Sequence, residues 1–406
     1  MNGKRELQRR RFLRFLAASP LLASPLGLRG VIGDALAEEL AAFEVATPAQ
    51  ALNIFDLEAI ARRKLPTAHF AYLATGVEGD LTIHANREGF KRYPIRARRL
   101  VDTTGLDTQV ELFGTRWPTP IALAPVSSLR AFHPDADLAV ARAAKARNHL
   151  EIMSTLSTTA VEDIMRAREA PVWFQLYPTS DLSITRALVK RAQAAGCPVV
   201  VLTVDNTTSI GRETLARARF VDKRDCTACH VPGVGSTYRT KPMFEGLDVS
   251  KLRSSLTDHL TWDFVHRLQD MTTMQVVLKG VVTAEDAALA LENRVAGVIV
   301  SNHGGRSEES VRSTIESLPE VVEVLRGRMP VLVDSGFRRG SDIFKALALG
   351  ADAVCVGRPY AWGLAAFGQP GVERALEILK AELETVMRSV GAPSIASMRK
   401  GFVLRA

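Results

Sequence analysis

A histidine and an arginine lie three residues apart in the segment 301–306, SNHGGR. An imidazole that titrates near neutral pH can act as a general base, and a guanidinium can hold a carboxylate through paired hydrogen bonds. A lone histidine is more often a structural residue, but Arg306, and Asp205 as a partner that could orient the ring, favour chemistry at His303. The segment therefore predicts proton abstraction from a substrate that carries a carboxylate.

Two glycine- and arginine-containing segments, 334–340 (DSGFRRG) and 357–359 (GRP), predict an anion site. Glycine lets backbone N–H groups approach an anion closely, and arginine supplies forked donors, so a phosphate is the expected ligand. The alternative is a pair of tight turns with solvent-facing arginines. Lys279 ends an apolar run, where an unpaired ammonium would be costly, so it predicts a negative group nearby or a buried salt bridge.

The four cysteines fall into two classes. Cys197 and Cys355 lie in apolar runs and are interpreted as core residues. Cys226, Cys229 and His230 form the C-x-x-C-H pattern that attaches c-type haem, with the histidine as an iron ligand. Met243 is a candidate second axial ligand, although packing is the commoner role of methionine. The alternatives for the cysteine pair are a local disulfide or a metal site that lacks its remaining ligands.

The N-terminus, with Arg9-Arg10-Arg11-Phe12-Leu13-Arg14 before an apolar run, is typical of a twin-arginine export signal. We expect residues 1–37 to be removed after the small-x-small sequence 35–37 and the mature protein to be periplasmic. A basic amphipathic start or a membrane anchor is the alternative, but prolines and an arginine interrupt the run. The net charge of +8 falls to +3 without this segment, because residues 1–37 hold seven basic and two acidic side chains, which excludes a nucleic-acid-binding surface.

The elements that must position these residues are eight apolar runs, separated by stretches of helical periodicity. The chain has 406 residues, of which 47% are hydrophobic and 24% charged, as expected for a folded α/β protein. Runs that are apolar almost throughout are typical of strands buried on both faces. We predict an α/β fold, a (β/α)₈ TIM barrel with an N-terminal extension and a long insertion between strands 4 and 5. The predicted strands are 121–125, 150–154, 172–177, 199–205, 276–280, 297–302, 331–336 and 353–358.

The predicted domain organisation derives from these strands. Residues 38–110 form the N-terminal extension that packs on the barrel, and residues 111–406 form the barrel. The insertion covers 206–275 and contains the C-x-x-C-H motif. Polar residues recur where each strand ends, which is the edge at which barrels of this kind build their active sites.

From about Asn53 to its C-terminus, the chain resembles the FMN-dependent 2-hydroxy acid dehydrogenases and oxidases, which include glycolate oxidase, lactate oxidase, mandelate dehydrogenase and the flavocytochrome lactate dehydrogenase. The resemblance rests on SNHGGR and DSGFRRG at their spacing, and on further matching segments at 71–72, 121–125, 174–177, 202–205, 278–281 and 357–359. It implies that FMN binds at the strand ends, through Pro125, Val126, Ser127, Ser154, Gln175, Thr203, Lys279, Ser301, Asp334, Ser335, Gly336, Arg338, Gly357 and Arg358. Ser127 stands where alanine or glycine is common in the family.

The resemblance also implies the substrate and the roles of the residues that bind it. The carboxylate of an L-2-hydroxy acid lies between Arg212 and Arg306 with help from Tyr72, and Tyr177 borders the reacting hydroxyl. His303 removes the hydroxyl proton, and Asp205 orients the imidazole. The expected product is a 2-oxo acid, and the expected electron acceptor is a cytochrome or the quinone pool, reached through the haem if one is attached.

Two alternatives to this function remain open on the sequence alone, a peroxide-forming oxidase and a non-catalytic flavin or haem electron carrier. A phosphate-binding barrel isomerase would have no need for His303 with two carboxylate-binding arginines. The family is often tetrameric, so a homo-oligomer is expected.

Overall fold

A computed structural model describes residues 44–206, 211–224, 236–250, 252, 260–399 and 401–405. The predicted signal at 1–37 and the residues Cys226, Cys229 and His230 lie outside this part of the chain. The chain divides into two compact units, Met1–Gln50 and Ala51–Ala406. The described part of the first unit contains one 3₁₀ turn, Pro48–Gln50. No helix among the described residues is long and apolar enough to cross a membrane.

The described residues of the second unit form ten strands, and eight of these strands make a closed parallel barrel. The strands are β1 Val110–Leu112, β2 Thr115–Trp117, β3 Ile121–Leu123, β4 Leu150–Ser154, β5 Trp173–Leu176, β6 Val199–Thr203, β7 Gln275–Val281, β8 Gly297–Val300, β9 Val331–Val333 and β10 Ala353–Val356. Strands β3 to β10 pair in chain order, and β10 closes on β3 through Val354 opposite Ile121. The predicted barrel is confirmed, and each of its strands overlaps one of the eight predicted runs.

Helices cover the outside of the barrel and precede it. They are α1 Ile54–Lys64, α2 Thr67–Ala74, α3 Leu81–Glu88, α4 Ala136–Arg147, α5 Val161–Arg168, α6 Leu182–Ala194, α7 Glu213–Val221, α8 Ser236–Arg239, α9 Trp262–Met271, α10 Ala284–Glu292, α11 Thr314–Leu325, α12 Gly340–Ala348, α13 Arg358–Phe367, α14 Gln369–Val390 and α15 Ile395–Met398. A capping box between Asn53 and Asp56 begins α1, which packs against α13. The helices that precede the barrel are therefore part of the same compact unit.

The antiparallel hairpin of β1 and β2 covers the N-terminal end of the barrel. Leu112 and Trp117 are buried in one cluster with barrel-interior residues such as Val201 and Ile299. The Phe113 ring lies 5.3 Å from that of Trp173, the first residue of β5. Side chains from both the hairpin and the strands thus fill this end, and the opposite end carries the polar residues.

The segment between β6 and β7 contains several elements. Helices α7 and α8 and the 3₁₀ turn Pro242–Phe244 lie within the predicted insertion. Helix α9 also lies inside it, but Val265 and Leu268 of α9 are buried and the helix contacts α6, so α9 takes the position of an outer barrel helix. We call the remaining residues, 206–261, the β6–β7 segment.

Candidate active site

A cavity of about 460 Å³ opens at the C-terminal ends of the barrel strands. Its volume lies within the roughly 300–1,000 Å³ typical of ligand pockets. Sixteen of the residues expected from the sequence line it: Tyr72, Pro125, Val126, Ser127, Tyr177, Thr203, Arg212, Lys279, His303, Arg306, Asp334, Ser335, Gly336, Arg338, Gly357 and Arg358. The structure therefore brings the two halves of the predicted site, the base with its arginines and the anion segments, into one cavity.

His303 lies between a carboxylate and a phenol. Its Nδ1 is 2.8 Å from Asp205 Oδ1, and its Nε2 is 3.0 Å from the Tyr177 hydroxyl. Since an ionised carboxylate only accepts hydrogen bonds, Nδ1 donates to Asp205 and Nε2 is left as an acceptor. The accepting nitrogen faces Tyr177, which lines the cavity, so the ring presents a base to a ligand bound there.

The protonation states of the two partners support this arrangement. Burial would raise the pKa of Asp205, but His303 and Lys279 outweigh it and hold that pKa below its ordinary value. Burial also raises the pKa of Tyr177 well above its usual range. Asp205 is thus a carboxylate and Tyr177 a neutral donor. A side chain at position 280 would collide with Asp205, which explains the glycine there.

Tyr72 and two arginines form a second group in the cavity. The guanidinium of Arg306 lies 4.6 Å from the centre of the Tyr72 ring, and that of Arg212 lies 5.1 Å from it. The phenol hydroxyl is 2.9 Å from Ser127 Oγ. Burial would raise the pKa of Tyr72, but Arg306, the hydrogen bond to Ser127 and Arg212 lower it to about 8.

Arg212 and Arg306 are not equivalent. Arg212 donates to the backbone oxygens of Tyr72 at 2.8 Å, Thr75 at 3.1 Å and Gly76 at 3.3 Å, all at the end of α2. Burial, followed by the charge of Arg306, lowers its pKa to about 9. Within the described residues, no ion pair with a carboxylate occupies the Arg306 guanidinium. Arg306 is therefore the better placed to bind an anionic ligand, and Arg212 also holds the end of α2.

Lys279 lies on the floor of the cavity with its charge paired. Its ammonium is 2.9 Å from Ser301 Oγ and 3.4 Å from Asp334 Oδ2. Burial disfavours the ammonium, but Asp334 and Asp205 outweigh it and raise the pKa of Lys279 above its ordinary value. The salt bridge that the sequence left as an alternative is present, and the side chain still faces the cavity as a cation.

Four predicted residues lie outside the cavity lining and hold its side chains in place through hydrogen bonds. Ser301 Oγ also accepts from the backbone N–H of His303, and Asp205 holds that imidazole. Ser154, Gln175 and Thr203 form a buried chain, in which Ser154 donates to Gln175 Oε1 at 3.2 Å and Gln175 Nε2 donates to Thr203 Oγ1 at 2.9 Å. The chain fixes the side chain of Thr203, which lines the cavity.

The other half of the cavity is built for an anion. Arg338 and Arg358 are buried, and among the described residues no ion pair joins either of them to a carboxylate. Burial and then Arg87 lower the pKa of Arg338 to about 10, and burial and then Arg338 lower that of Arg358 well below its ordinary value. Two buried cations without an anionic partner are costly, so a ligand phosphate is the group that this half fits.

Two glycines allow the chain to pack closely in this half of the site. Gly304 has a φ of +71°, and a Cβ there would meet the guanidinium of Arg358. Gly336 has a φ of +87°, and a Cβ there would collide with the backbone oxygen of Asn86. One end of the cavity is thus cationic and suits a phosphate, and the other end holds the base His303 beside Arg306. Side chains from the strand ends line the space between them. These features fit FMN with a carboxylate-bearing substrate beside it.

Residues that the sequence analysis did not assign also line the cavity. They are Leu73, Ala124, Leu156, Asn206, Gly304, Phe337, Cys355 and Val356. Asn206 comes directly after Asp205, so its position was inferable from the strand end. Burial raises the pKa of the Cys355 thiol, and its interpretation as a buried residue agrees with the structure.

Of the predicted haem ligands, Met243 alone lies among the described residues. Met243 is buried in the turn Pro242–Phe244, which contacts α6, and so has the packing role. In the part of the chain that the structure describes, no group of three or more His, Cys, Asp or Glu side chains could hold a metal ion.

The sequence and the fold both match known proteins. The profile described as FMN-dependent dehydrogenase matches residues 61–405. Glycolate oxidase 5 of Oryza sativa subsp. japonica is 39% identical over 352 residues, which cover 87% of this chain and 95% of that protein. The solved structure of a soluble mutant of the membrane-associated (S)-mandelate dehydrogenase from Pseudomonas putida superposes with a TM-score of 0.80 at 34% identity, covering 88% of this chain and all of that one.

A complex in the same fold carries a hydroxy acid. The crystal structure of mandelate oxidase with 3,3-difluoro-2-hydroxy-3-phenylpropionic acid matches with a TM-score of 0.76 at 36% identity, covering 87% of this chain and 98% of that one.

Proposed function

The chain belongs to the FMN-dependent dehydrogenase family, and on that premise we propose that it oxidises an L-2-hydroxy acid to the 2-oxo acid and passes the electrons to an acceptor other than oxygen. The observation that carries the proposal is the convergence of the His303–Asp205 pair and the Arg306 guanidinium on one cavity whose other end is an anion site. The Arg306 guanidinium would bind a substrate carboxylate, and the His303–Asp205 pair would bind a neighbouring hydroxyl.

The FMN would occupy the length of the cavity. Arg338, Arg358 and the backbone around Gly336 would hold its phosphate, and Lys279 would face its ring system with a positive charge. When bound, FMN would supply the oxidant and accept the two electrons that leave C2 of the substrate together with the hydrogen on C2. A fixed cation beside the ring favours the added negative charge, since electrostatic stabilisation is strong in a site that excludes water.

The remaining steps belong to side chains of the protein. Arg306 binds the carboxylate and Tyr72 donates to it, which places the hydroxyl between Tyr177 and His303. His303 Nε2 takes the hydroxyl proton, and the Asp205 carboxylate stabilises the imidazolium that forms. Tyr177 stays protonated and can donate to the developing oxygen.

Anaerobic mixing of the FMN-loaded protein with lactate, glycolate and mandelate tests the proposal. We expect at least one of the three to bleach the flavin absorbance and the 2-oxo acid to form in equal amount. The D-enantiomers of lactate and mandelate are the matched controls and should leave the spectrum unchanged. A flavin that none of these acids reduces would reject the proposal and favour a non-catalytic carrier.

Substrate affinity should depend on pH through Tyr72. The pKa of this phenol is lowered to about 8, so above that pH a phenolate lies beside Arg306. The phenolate repels the substrate carboxylate and weakens the binding of that carboxylate by the Arg306 guanidinium. We expect KM to be constant below about pH 7 and to rise above pH 8. Measuring KM from pH 6 to 8.5 in wild type and Tyr72→Phe checks this, because the variant should show no rise over this range, which lies below the pKa of Arg212. A rise of equal size in the variant would remove Tyr72 as its cause.

The acceptor is proposed from the sequence of the β6–β7 segment. The C-x-x-C-H motif at Cys226, Cys229 and His230, with the export signal at 1–37, supports a covalent haem attached in the periplasm, which would pass single electrons to a cytochrome or the quinone pool. Since Met243 is packed in the core, the proposal retains His230 alone as an iron ligand.

Protein matured with c-type assembly machinery should give a pyridine haemochrome spectrum, and Cys226→Ser with Cys229→Ser should abolish it. A disulfide between the two cysteines with no haem would reject this acceptor. Oxygen consumption measures the rival oxidase directly: rapid uptake with a substrate that reduces the flavin, and equimolar peroxide, would replace the dehydrogenase with a peroxide-forming oxidase.

A further inference from the structure

A buried lysine attaches the β6–β7 segment to the rim of the cavity. Lys241 precedes the turn Pro242–Phe244 and is 6% exposed, and its ammonium donates to Ser128 Oγ at 2.7 Å. Ser128 lies just after β3, at the end of the barrel where the cavity opens, and has a left-handed φ of +57°. Because an ammonium is costly to bury without a partner, this hydrogen bond gives the contact a defined geometry.

The turn that carries Lys241 is held in place by other contacts. Arg191 on α6 donates to the backbone oxygen of Pro242 and forms an ion pair with Glu162 at 2.8 Å. Phe244 is buried, and its ring lies 4.9 Å from that of Tyr238. Loss of the Lys241 ammonium should therefore leave the turn folded, since none of these contacts involves that charge.

Ser128 belongs to the loop that holds the substrate end of the cavity. Its backbone N–H donates to the oxygen of Leu156 at 3.1 Å, and Leu156 lines the cavity. The adjacent residue, Ser127, is 2.9 Å from the hydroxyl of Tyr72, whose ring lies against Arg306. Two hydrogen bonds and one peptide unit thus connect the Lys241 ammonium to the phenol beside the arginine.

We propose that Lys241 is a positioning residue for substrate binding. By fixing Ser128, it holds Ser127 in the rotamer that keeps the Tyr72 hydroxyl directed at the substrate carboxylate. The side chain does not line the cavity, so it acts through the loop and not by contact with the ligand. The inference rests on the proposed function, because it takes the ligand beside Tyr72 to be a hydroxy acid.

The test compares Lys241→Met with Lys223→Met in FMN-loaded protein. Methionine keeps the length of the side chain and removes the charge, and Lys223 is an exposed lysine on the same segment. In anaerobic stopped-flow reduction by a 2-hydroxy acid, we expect Lys241→Met to weaken apparent substrate binding by roughly five- to tenfold, the size of one lost hydrogen bond. The limiting rate should change by less than about twofold, and Lys223→Met should match wild type.

Double variants separate positioning from a general structural effect. Ser128→Ala should weaken binding as Lys241→Met does, and the two together should weaken it no further than either alone. In a Tyr72→Phe background, Lys241→Met should have no additional effect. An unchanged affinity in Lys241→Met, or an equal loss in the Tyr72→Phe background, would overturn the proposal.

A readout without substrate keeps this inference distinct from the proposed function. Amide hydrogen exchange across residues 126–131 should be faster in Lys241→Met than in Lys223→Met, at similar melting temperatures. If no hydroxy acid reduces the wild-type flavin, the proposed function fails and the exchange experiment alone decides whether Lys241 holds the loop. If wild type is reduced and both loop exchange and affinity are unchanged in Lys241→Met, only the positioning role fails.

Discussion

Replacement of His303 by glutamine is expected to slow flavin reduction by a 2-hydroxy acid by roughly 10³- to 10⁴-fold, the upper part of the range for general base catalysis. Glutamine can still bond to Asp205 and Tyr177, which contact the two ring nitrogens, but it cannot take the hydroxyl proton. FMN should remain bound, since the phosphate end of the cavity is built from Arg338 and Arg358. Anaerobic stopped-flow spectroscopy measures the rate, and the ratio of flavin absorbance to protein absorbance measures FMN content.

The matched control for this variant is His84→Gln. His84 is an exposed residue of α3, and its side chain makes no hydrogen bond to another described residue. This variant should reduce its flavin at the wild-type rate. Normal turnover in His303→Gln would require a different base and would leave the His303–Asp205 pair without its proposed role.

Replacement of Asp205 by asparagine should have the second largest effect. The carboxylate fixes the Nδ1–H tautomer of His303 and stabilises the imidazolium, and a carboxylate in this role is worth up to about 10⁴ in rate. An asparagine amide that donates to Nδ1 would favour the opposite tautomer and leave Nε2 protonated. We expect the limiting rate of flavin reduction to fall roughly 10²- to 10⁴-fold, with substrate affinity changed far less.

The FMN content and the melting temperature distinguish a loss of orientation from a loss of fold. Because Asp205 acts on the imidazole of His303, Asp205→Asn should keep its FMN and its melting temperature while the limiting rate falls. Asp270→Asn, at an exposed aspartate of α9, is the control and should keep the wild-type rate. A wild-type rate in Asp205→Asn would show that His303 works without its carboxylate.

The barrel was predictable because its strands are apolar almost throughout and polar residues follow their ends. The residues at which the strands end were harder to predict. The predicted strand 199–205 ends at Thr203 in the structure, and 331–336 ends at Val333. Asp205 and Asp334 were included because the residues before them continue the apolar run. Both residues lie beyond the last strand residue, and their side chains pair with His303 and Lys279 across the mouth of the barrel.

Within the site, the residues at the strand ends were the predictable part. His303 and Lys279 come directly from these ends, where the barrel topology alone brings them together. Tyr72 lies on a helix before the barrel, and only the resemblance to a known family identified it. The bond between Lys241 and Ser128 joins residues 113 positions apart, and no local sequence pattern indicates such a contact.

The β1–β2 hairpin closes the N-terminal end of the barrel among the described residues. With Leu112 and Trp117 packed into that end, the cavity opens at the C-terminal ends of the strands, where a small molecule would enter. A hydroxy acid and a diffusible oxidant would then share this access, so we expect the oxidised product to leave before the oxidant binds. Steady-state kinetics with a soluble acceptor should therefore be ping-pong, with parallel lines in double-reciprocal plots and competitive inhibition by excess hydroxy acid against the acceptor.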